Sequence, residues 1–432
     1  MTMDVGALLD EGRPRRLVLE LYGRATQGWP FLTGLFMEMF KTVKPDPWER
    51  AAVAETVMDM VRWRRTVMAA LQLGEEEDAS AILEGTLRLR GMLQNDGRSR
   101  LTPEQLELLD AWPQRLAAVE DPVERLGLTC SLPNWIAQLL VDELGELRAN
   151  SVGLAFNQPP PNTLRVNTIT ATRDLVLAEL GAAGVAAHPT SRAPQGVSLD
   201  ERTDVYRLEV LRESRAEMQD EASQLICELV APPPKGFVLD VCAGAGGKTL
   251  GMAAILGNKG HVLALDVHRG RLEELRKRVK RASLHNVEAR LMRAGAPLPP
   301  DVIGKADRVL VDAPCSGLGA LRRNPEARWR LNKEDVVRLA EQQRDILRNA
   351  AAAVAPRGRL IYAVCSITRM EGPAVVEAFL ASNPEFEPVT AREVLGGKLT
   401  QDITDAKGVA IQTLPDVLNM DGFYAAVMRR KA

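Results

Sequence analysis

The chain has 432 residues, of which 46% are hydrophobic and 26% are charged, and its formal net charge is −2 at pH 7. This composition is typical of a soluble globular protein, and the length predicts two or three domains. A charge so close to zero excludes a broadly basic surface, so a nucleic-acid partner would have to be recognised by local clusters of Lys and Arg.

No run of the sequence approaches the ~18 apolar residues of a membrane-spanning helix, and the start, MTMDVGALLDEGRPRR, has no apolar signal-peptide core. We therefore expect a cytoplasmic protein with no membrane partner. The five cysteines are widely spaced, odd in number and without a CxxC pair, which argues against a disulfide scaffold and against a zinc site. We expect no bound metal and free thiols at Cys130, Cys227, Cys242, Cys315 and Cys365.

Residues 1–150 show the periodicity of helices and almost no strand pattern. Apolar residues recur at helical spacing through residues 51–73 and 104–116, and Thr102-Pro103 is typical of a helix start. Two basic clusters, RPRR at residues 13–16 and RWRR at residues 62–65, could contact phosphate, but such charges more often form a solvated helix face. We predict a helical bundle with a structural or docking role.

Residues 151–230 are predicted to form a small α/β segment. NQPPP at residues 157–161 is a stiff extended connector, and residues 163–168 alternate in the manner of a strand. A helical pattern follows at residues 175–180. We expect further short strands in residues 196–211 and a helix that starts at residue 218.

After residue 236 strands and helices alternate, which is typical of a largely parallel sheet. We predict seven strands in residues 231–432, with the last strand antiparallel. Six of the strands are located at residues 237–240, 261–265, 287–291, 308–311, 359–364 and 422–428, and helices at residues 271–284, 333–354 and 373–380.

The first of these strands leads into a glycine-rich turn, FVLDVCAGAGGKTL at residues 237–250. Gly244, Gly246 and Gly247 allow a tight turn and the close approach of a ligand, and the free N–H groups of a helix that begins near Lys248 would face an anionic group. The pattern is neither the full dinucleotide fingerprint nor a Walker P-loop, and such a turn can also be close packing alone. We interpret it as part of a cofactor site.

Ligands of open α/β sheets bind beyond the carboxyl ends of the strands, where Asp266, Asp312 and Cys365 also lie in this sequence. Asp266 follows the glycines by about twenty residues, where an acidic side chain can accept hydrogen bonds from ribose hydroxyls. It could also cap the next helix, and the two roles are compatible. A cofactor that carries a ribose is therefore predicted. No phosphate-binding lysine is paired with a magnesium carboxylate, which disfavours an ATPase.

Two cysteines follow neighbouring predicted strands, in DAPCSG at residues 312–317 and in VCS at residues 364–366. A single cysteine is more often a small buried hydrophobic residue. Two of them at strand ends, each followed by Ser, favour a thiolate that acts as a nucleophile. Asp312, three residues before Cys315, could supply a proton or orient a base edge.

FVLDVCAGAGGKT, VDAPCSG and VCS, in this order, resemble the S-adenosylmethionine-dependent RNA 5-methylcytosine methyltransferases of the Nol/Nop/Sun family. NQPPPNTLRVN, MQDEASQL and DGFYAAVMRR are similar to further segments of that family, so the resemblance covers residues 150–432. The first third resembles, less specifically, the NusB-like extension of the family's bacterial 16S ribosomal RNA branch. The resemblance implies a helical NusB-like RNA-binding or docking domain at residues 1–150, a small α/β linking domain at residues 151–230 and a Rossmann-like methyltransferase domain at residues 231–432.

The resemblance also implies a role for each matching residue. Cys365 would add to C6 of a flipped-out cytosine, Asp312 would donate a hydrogen bond or a proton toward N3, and Cys315 would assist release after C5 has taken the methyl group. C5 needs this help because it is a poor nucleophile until a thiolate saturates the 5,6 double bond. The implied site for S-adenosyl-L-methionine comprises Cys242, Ala243, Gly244, Ala245, Gly246, Gly247, Lys248, Asp266, Arg271 and Asp312.

Three stretches depart from the family's pattern. Ala245 stands where Pro usually precedes Gly-Gly, and Val364 stands where Thr usually precedes Cys-Ser. LMRAGA at residues 291–296 lacks the acidic residue that usually follows the third strand. We expect a looser glycine turn and altered recognition of the adenosine.

The implied partner is RNA, with small-subunit ribosomal RNA expected, and the protein is expected to be a monomer. Transfer RNA, 23S ribosomal RNA and a non-catalytic role in ribosome assembly are the alternatives. DNA is disfavoured because DNA cytosine methyltransferases place the nucleophile in a Pro-Cys motif and lack a counterpart of Cys365. LRRNPEARWR at residues 321–330 is expected to bind RNA, because arginines pair with phosphates and aromatic rings stack on bases, unless its Trp simply anchors a surface loop. The residues concerned are Arg322, Arg323, Arg328 and Trp329.

Overall fold

The computed structural model of the chain describes residues 12–74, 78–93, 99–200 and 205–432. Residues 1–11, which belong to the stretch without a signal-peptide pattern, and residues 201–204, which belong to a stretch predicted to form strands, lie outside the described residues. The chain divides into two compact units, one of Met1–Pro159 with Ala320–Asn332 and the other of Pro160–Gly319 with Lys333–Ala432. The boundaries predicted at residues 150 and 230 stay predictions.

Regular structure in the described part of the first unit consists of helices, as the periodicity predicts. Asp46 and Thr102 each form a capping box with the third helical residue, which satisfies two of the free N–H groups at the helix start. The helices span Arg13–Ala25, Leu32–Val43, Pro47–Leu71, Ala79–Leu89, Pro103–Asp110, Trp112–Ala117, Pro122–Cys130, Asn134–Leu144, Glu146–Ala155 and Ala327–Arg330. The spacing of Val53, Val57 and Met60 along the longest helix places all three in a single apolar core.

Arginines of the segment Ala320–Asn332 are buried inside this first unit. Arg322 is 1% exposed and Arg328 is 0% exposed. Burial lowers the pKa of the Arg328 guanidinium to about 9, and the nearby charge of Arg62 acts in the same direction. The hydrogen bonds of Arg328 compensate for the loss of water. Its acceptors are the carbonyl oxygens of Arg62, Ser131 and Phe156 and Oδ1 of Asn157.

Trp329 is only partly buried, but it too is bonded within this unit. Its Nε1 donates a hydrogen bond to the carbonyl of Val61 at 2.9 Å, and its ring centre lies 6.1 Å from that of Trp29. Side chains that are buried and bonded to protein are not available to phosphates or bases. In this structure Arg322 and Arg328 expose almost no surface to a phosphate, whereas Arg323 and Trp329 are only partly buried. RNA contact by this segment stays a prediction. The alternative of a segment anchored by its Trp describes what is observed.

The second unit contains a small antiparallel sheet of four strands, β1 (Asn162–Val166), β2 (Ala187–Pro189), β3 (Gly196–Leu199) and β4 (Ala216–Met218). Their order in the sheet is β2-β3-β1-β4. The predicted α/β segment is therefore present, but the prediction of strands through residues 196–211 is wrong for residues 205–211, because Val205–Arg207 and Glu209–Arg212 are helical. β2 and β4 went unpredicted because three residues are too few to show a period.

The larger sheet of the second unit has eight strands, not the seven predicted. The order is β10-β12-β9-β8-β5-β6-β7, and β11 pairs with β12. Pairing is parallel from β9 to β7, whereas β12 is antiparallel to β9, β10 and β11. The bounds are β5 Phe237–Asp240, β6 His261–Asp266, β7 Val287–Leu291, β8 Ala306–Asp312, β9 Val354–Val364, β10 Phe386–Val389, β11 Ile411–Thr413 and β12 Phe423–Arg430.

Helices cover both faces of this sheet, because alternate residues of each strand point to opposite sides. In β9, Ile361 belongs to the core cluster with the helices Glu221–Val230 and Gly247–Ile255. Its neighbour Tyr362 belongs to the cluster with Lys333–Ala351 and Pro373–Ser382. The remaining helices are Arg173–Ala182, Arg269–Arg281, Ala391–Leu395, Gly397–Thr400 and Pro415–Leu418. No described helix is both long and apolar enough to cross a membrane.

Replacement of Arg328 by Met tests the buried position of this side chain. The variant leaves three carbonyl oxygens and Oδ1 of Asn157 without their donor, so we expect the free energy of unfolding to fall by about 2 kcal/mol. Urea unfolding is the measurement. Arg330→Met is the matched control, because Arg330 is partly exposed and lies over the Phe31 ring, and it should cost less than about 1 kcal/mol. Equal losses for the two variants would place Arg328 at the surface.

Candidate active site

The glycine turn joins β5 to the helix Gly247–Ile255 at the carboxyl edge of the larger sheet. Gly244 has φ +56° and Gly246 has φ +90°, both in the left-handed region that favours glycine. A Cβ at Gly246 would lie 2.8 Å from side-chain carbons of Leu250 and Leu275, whereas a Cβ at Gly244 would meet no atom within 4 Å. Gly246 is therefore required for packing, and the space at Gly244 is open to a ligand.

Asp266, at the end of β6, supports this turn directly. Its Oδ2 accepts a hydrogen bond from the Gly244 amide at 2.7 Å, and its Oδ1 accepts one from the His268 amide at 2.7 Å. The second bond holds the residue that precedes the helix Arg269–Arg281. Each carboxylate oxygen keeps a further lone pair, so a role toward ribose hydroxyls is compatible with the local role that the sequence left open.

Asp240, which ends β5, has an unsatisfied buried oxygen. The side chain is 1% exposed, and Oδ2 accepts a hydrogen bond from the Thr249 hydroxyl at 2.7 Å. Oδ1 has no hydrogen-bond partner in the protein. Burial raises the pKa of this carboxyl to about 7, and the nearby carboxylates of Asp312 and Asp266 add to the effect. A buried acid in this state calls for a donor or a cation from a ligand.

A side chain from a neighbouring helix also stabilises the glycine turn. Arg278, on the helix Arg269–Arg281, donates a hydrogen bond to the carbonyl of Ala245 at 2.7 Å and forms an ion pair with Glu217 of β4 at 2.8 Å. Ala245 is the position where the sequence led us to expect a looser turn, because proline is absent there. The bond from Arg278 restrains the backbone that proline would otherwise stiffen.

Lys248 and Asp312 form the central ion pair of the site. Lys248 Nζ lies 2.6 Å from Asp312 Oδ2 and 5.2 Å from the centre of the Phe423 ring. Burial opposes the charge on Lys248, but the Asp312 carboxylate outweighs it, so the pKa of the lysine is raised. From the sequence, Lys248 was predicted only to bind the cofactor. In the structure its ammonium contacts Asp312, the acid of the DAPCSG motif.

The two predicted active cysteines lie together. Cys315 Sγ and Cys365 Sγ are 3.3 Å apart, because β8 and β9 are neighbouring parallel strands whose last aligned pair is Asp312 and Ala363. The pKa of the Cys315 thiol is raised, first by its hydrogen bond with Cys365 and then by burial. Cys315 therefore remains a protonated thiol near neutral pH and can donate its hydrogen to the sulfur of Cys365.

Other predicted cofactor residues differ in their surroundings. Cys242, in the turn itself, is half-buried, and burial together with the carboxylates of Asp240, Asp312 and Asp266 raises the pKa of its thiol. Arg271 is exposed in the first turn of the helix Arg269–Arg281. Asp240 and Arg278 were not predicted to belong to this site. Asp240 could have been found from its position at the end of a predicted strand. Nothing in the sequence pairs Arg278 with Ala245.

Comparisons with known proteins agree with this architecture. A family model described as 16S rRNA methyltransferase RsmB/F matches residues 227–429, and a model for the ferredoxin-like domain of RsmF/B-like methyltransferases matches residues 132–206. The probable ribosomal RNA small subunit methyltransferase B of Bacillus subtilis is 34% identical over 315 residues, which cover 73% of this chain and 70% of that protein.

The ribosomal RNA small subunit methyltransferase B of Vibrio cholerae is 32% identical over 369 residues, which cover 84% of this chain and 78% of that protein. The crystal structure of PH0851 matches with a TM-score of 0.78 over 98% of this chain and 100% of that one, at 24% identity, a likeness that supports the fold alone. The predicted fold class, a Rossmann-like methyltransferase core with a helical N-terminal domain and a small α/β segment between them, is confirmed.

The two glycines of the turn should respond differently to alanine. Gly246→Ala places a methyl group against Leu250 and Leu275 in a left-handed conformation, so we expect the free energy of unfolding to fall by about 2–3 kcal/mol. Gly244→Ala, the matched control, meets no neighbouring atom and should cost about 1 kcal/mol. Denaturant unfolding of both variants is the measurement. A larger loss for Gly244→Ala would contradict the packing described for the turn.

Proposed function

Because the chain belongs to the RsmB/F family of 16S rRNA methyltransferases, we propose that it transfers a methyl group from S-adenosyl-L-methionine to C5 of a cytosine in 16S rRNA. The pair of thiols, Cys315 and Cys365, with sulfur atoms 3.3 Å apart, carries this proposal. C5 of cytosine becomes nucleophilic only when a thiolate has added to the ring, and the adduct must afterwards be released. Two adjacent thiols can serve these two needs.

The glycine turn fits the proposed cofactor. Space is open at Gly244, and a Cβ at Gly247 would have only the Gln219 Nε2 atom within 4 Å, at 3.9 Å. The unsatisfied Oδ1 of Asp240 suits the α-ammonium group of the methionine end, since a cation there would stabilise the ionised carboxylate. Asp266 would accept from the ribose hydroxyls. When bound, the cofactor supplies an electrophilic methyl group.

Cys365 would begin the reaction on a cytosine that has left its stack. Its thiolate adds to C6, and the electron pair of the 5,6 double bond becomes available at C5 while N3 gains a proton. C5 then takes the methyl group. Loss of the C5 proton to a base re-forms the double bond as the bond between C6 and sulfur breaks and N3 returns its proton. The methyl group stays on C5 and Cys365 is free again.

Asp312 and Lys248 would handle the proton at N3. The negative charge that thiolate addition creates is spread onto N3, so a donor placed there lowers the barrier. Asp312 would pass a proton to N3, and the ammonium of Lys248, which contacts Oδ2 of Asp312 at 2.6 Å, would stabilise the carboxylate that remains. The raised pKa of Lys248 supports this role, because the lysine keeps its positive charge.

Cys315 would assist the release of the product. Its raised pKa keeps it in the thiol form beside the sulfur of Cys365. A thiol at 3.3 Å can donate a hydrogen bond to that sulfur as it departs from C6, which makes Cys365 a better leaving group. The distance is the same for both sulfur atoms, so the assignment of Cys365 as the nucleophile and Cys315 as its partner follows the resemblance of VCS and DAPCSG to the family's motifs.

The two cysteine variants should therefore have different phenotypes. Cys365→Ala should abolish methyl transfer, because C5 never becomes nucleophilic. Cys315→Ala should still attack and methylate but release the product poorly, so a covalent protein–RNA adduct should accumulate. A denaturing gel of each variant with 16S rRNA and S-adenosyl-L-methionine measures the adduct.

RNA that carries 5-azacytidine is the control, because its ring nitrogen at position 5 has no proton to lose and should trap Cys365 in the wild-type protein. Cys365→Ala should form no adduct even with this RNA. An adduct that appears with Cys365→Ala and vanishes with Cys315→Ala would reverse the roles. Methylation without any trapped adduct in all three proteins would rule out the covalent mechanism, and a protein without methylation or cofactor binding would favour a non-catalytic role in ribosome assembly.

A further inference from the structure

A buried glutamate links the two loops that carry the cysteines. Glu371 follows β9 just before the helix Pro373–Ser382 and is 0% exposed. Its Oε2 accepts hydrogen bonds from the hydroxyls of Ser316 at 2.5 Å and Ser366 at 2.6 Å. Its Oε1 accepts a hydrogen bond from the Ser316 amide at 2.8 Å. Ser316 and Ser366 are the residues that directly follow Cys315 and Cys365, so one carboxylate holds both cysteine loops.

A second layer holds the glutamate in place. Gln343 Nε2 donates hydrogen bonds to Glu371 Oε1 at 3.1 Å and to the carbonyl of Pro314, the residue before Cys315, at 3.0 Å. The Tyr362 hydroxyl contacts Gln343 Oε1 at 3.0 Å and the carbonyl of Glu371 at 2.5 Å. The donors to Glu371 given above are all neutral groups. The carboxylate therefore holds the cysteine loops by hydrogen bonds to neutral donors, and its own charge acts on the nearby thiols.

The position matters because backbone pairing stops short of the cysteines. The last aligned pair of β8 and β9 is Asp312 and Ala363. Beyond it, the Gly319 amide donates a hydrogen bond to the carbonyl of Cys365 at 3.1 Å, but the residues next to each sulfur are joined through Glu371. Without that carboxylate the two hydroxyls and the Ser316 amide would lose a shared acceptor, and the distance between the thiols would no longer be fixed.

We propose that Glu371 is a positioning residue of this site, which fixes the two thiols at the separation that lets Cys315 release Cys365 from the product. The catalytic part of this proposal rests on the proposed function, whereas the control of the spacing between the thiols does not. The charge of Glu371 acts in the same sense, because it contributes to the raised pKa of Cys315 and so keeps that thiol protonated.

Thiol cross-linking measures the spacing without any turnover. Diamide takes up two electrons and two protons from a pair of neighbouring thiols, which leaves a disulfide, and mass spectrometry of peptides after alkylation quantifies the bridge between Cys315 and Cys365. We expect rapid bridging in the full-length wild-type protein. Glu371→Gln should bridge slower by about tenfold or more, because an amide cannot accept from both serine hydroxyls and the Ser316 amide together.

Glu221→Gln is the matched control. Glu221 is also buried and accepts hydrogen bonds from backbone amides, those of Arg192 and Ala193, but it lies in the helix Glu221–Val230. It should bridge at the wild-type rate. Glu371→Asp keeps the charge and should recover part of the rate. If Glu371→Gln does not fold, Ser316→Ala, which removes one of the two hydroxyls, decides the same question, and bridging at the wild-type rate in that folded variant would overturn the proposal.

The effect of Glu371 on catalysis is measured separately, by the covalent adduct with RNA. Glu371→Gln should still trap RNA that carries 5-azacytidine, but with ordinary 16S rRNA it should accumulate the covalent adduct that Cys315→Ala accumulates. Slow bridging in Glu371→Gln, combined with methylation but no adduct between the wild-type protein and RNA that carries 5-azacytidine, would contradict the proposed function and leave the positioning role standing. Bridging at the wild-type rate in Glu371→Gln would overturn the positioning role, whatever happens to methylation.

Discussion

The parallel pairing of β8 with β9 is the constraint on which the active site depends. Cys315 and Cys365 are 50 positions apart in sequence, and their sulfur atoms meet at 3.3 Å because each follows the carboxyl end of one of these strands. β5 and β6 end at the same edge and add Asp240 and Asp266. A shift of one residue in the pairing of β8 with β9 would turn the side chains of one strand to the opposite face and separate the thiols.

The ammonium group of Lys248 influences the charged groups at the carboxyl edge of the larger sheet. Burial acts against the charge of Lys248, yet the contact with Asp312 at 2.6 Å prevails and raises the pKa of the lysine. Asp240 has no such partner, so burial prevails there and raises the pKa of the acid to about 7. Neighbouring carboxylates thus differ in their surroundings, because Asp312 contacts a cation of the protein whereas Oδ1 of Asp240 is open to a donor or a cation from a ligand. Such contrasts are typical of sites that bind and react.

Much of this architecture could be predicted from the sequence. β5 and β7 have the predicted bounds, and the cysteines, Asp312 and the glycine turn lie at one edge because parallel strands end together. The burial of Arg328 could not be predicted, since three of its four acceptors are backbone carbonyls, which no pattern of side chains reveals. The same is true of β10 and β11, which are short and gain stability from pairing with β12, and of Glu371, whose partners are serines on two separate loops.

In the proposed mechanism the paired thiols make C5 of cytosine the methyl acceptor. The most direct test is to incubate the purified full-length protein with 16S rRNA and S-adenosyl-L-methionine labelled in the methyl group, digest the RNA to nucleosides and identify the labelled product by mass spectrometry. We expect the label to be recovered as 5-methylcytidine. Label in a ribose-methylated or N4-methylated nucleoside would contradict it, because neither product requires a thiolate to add to the ring.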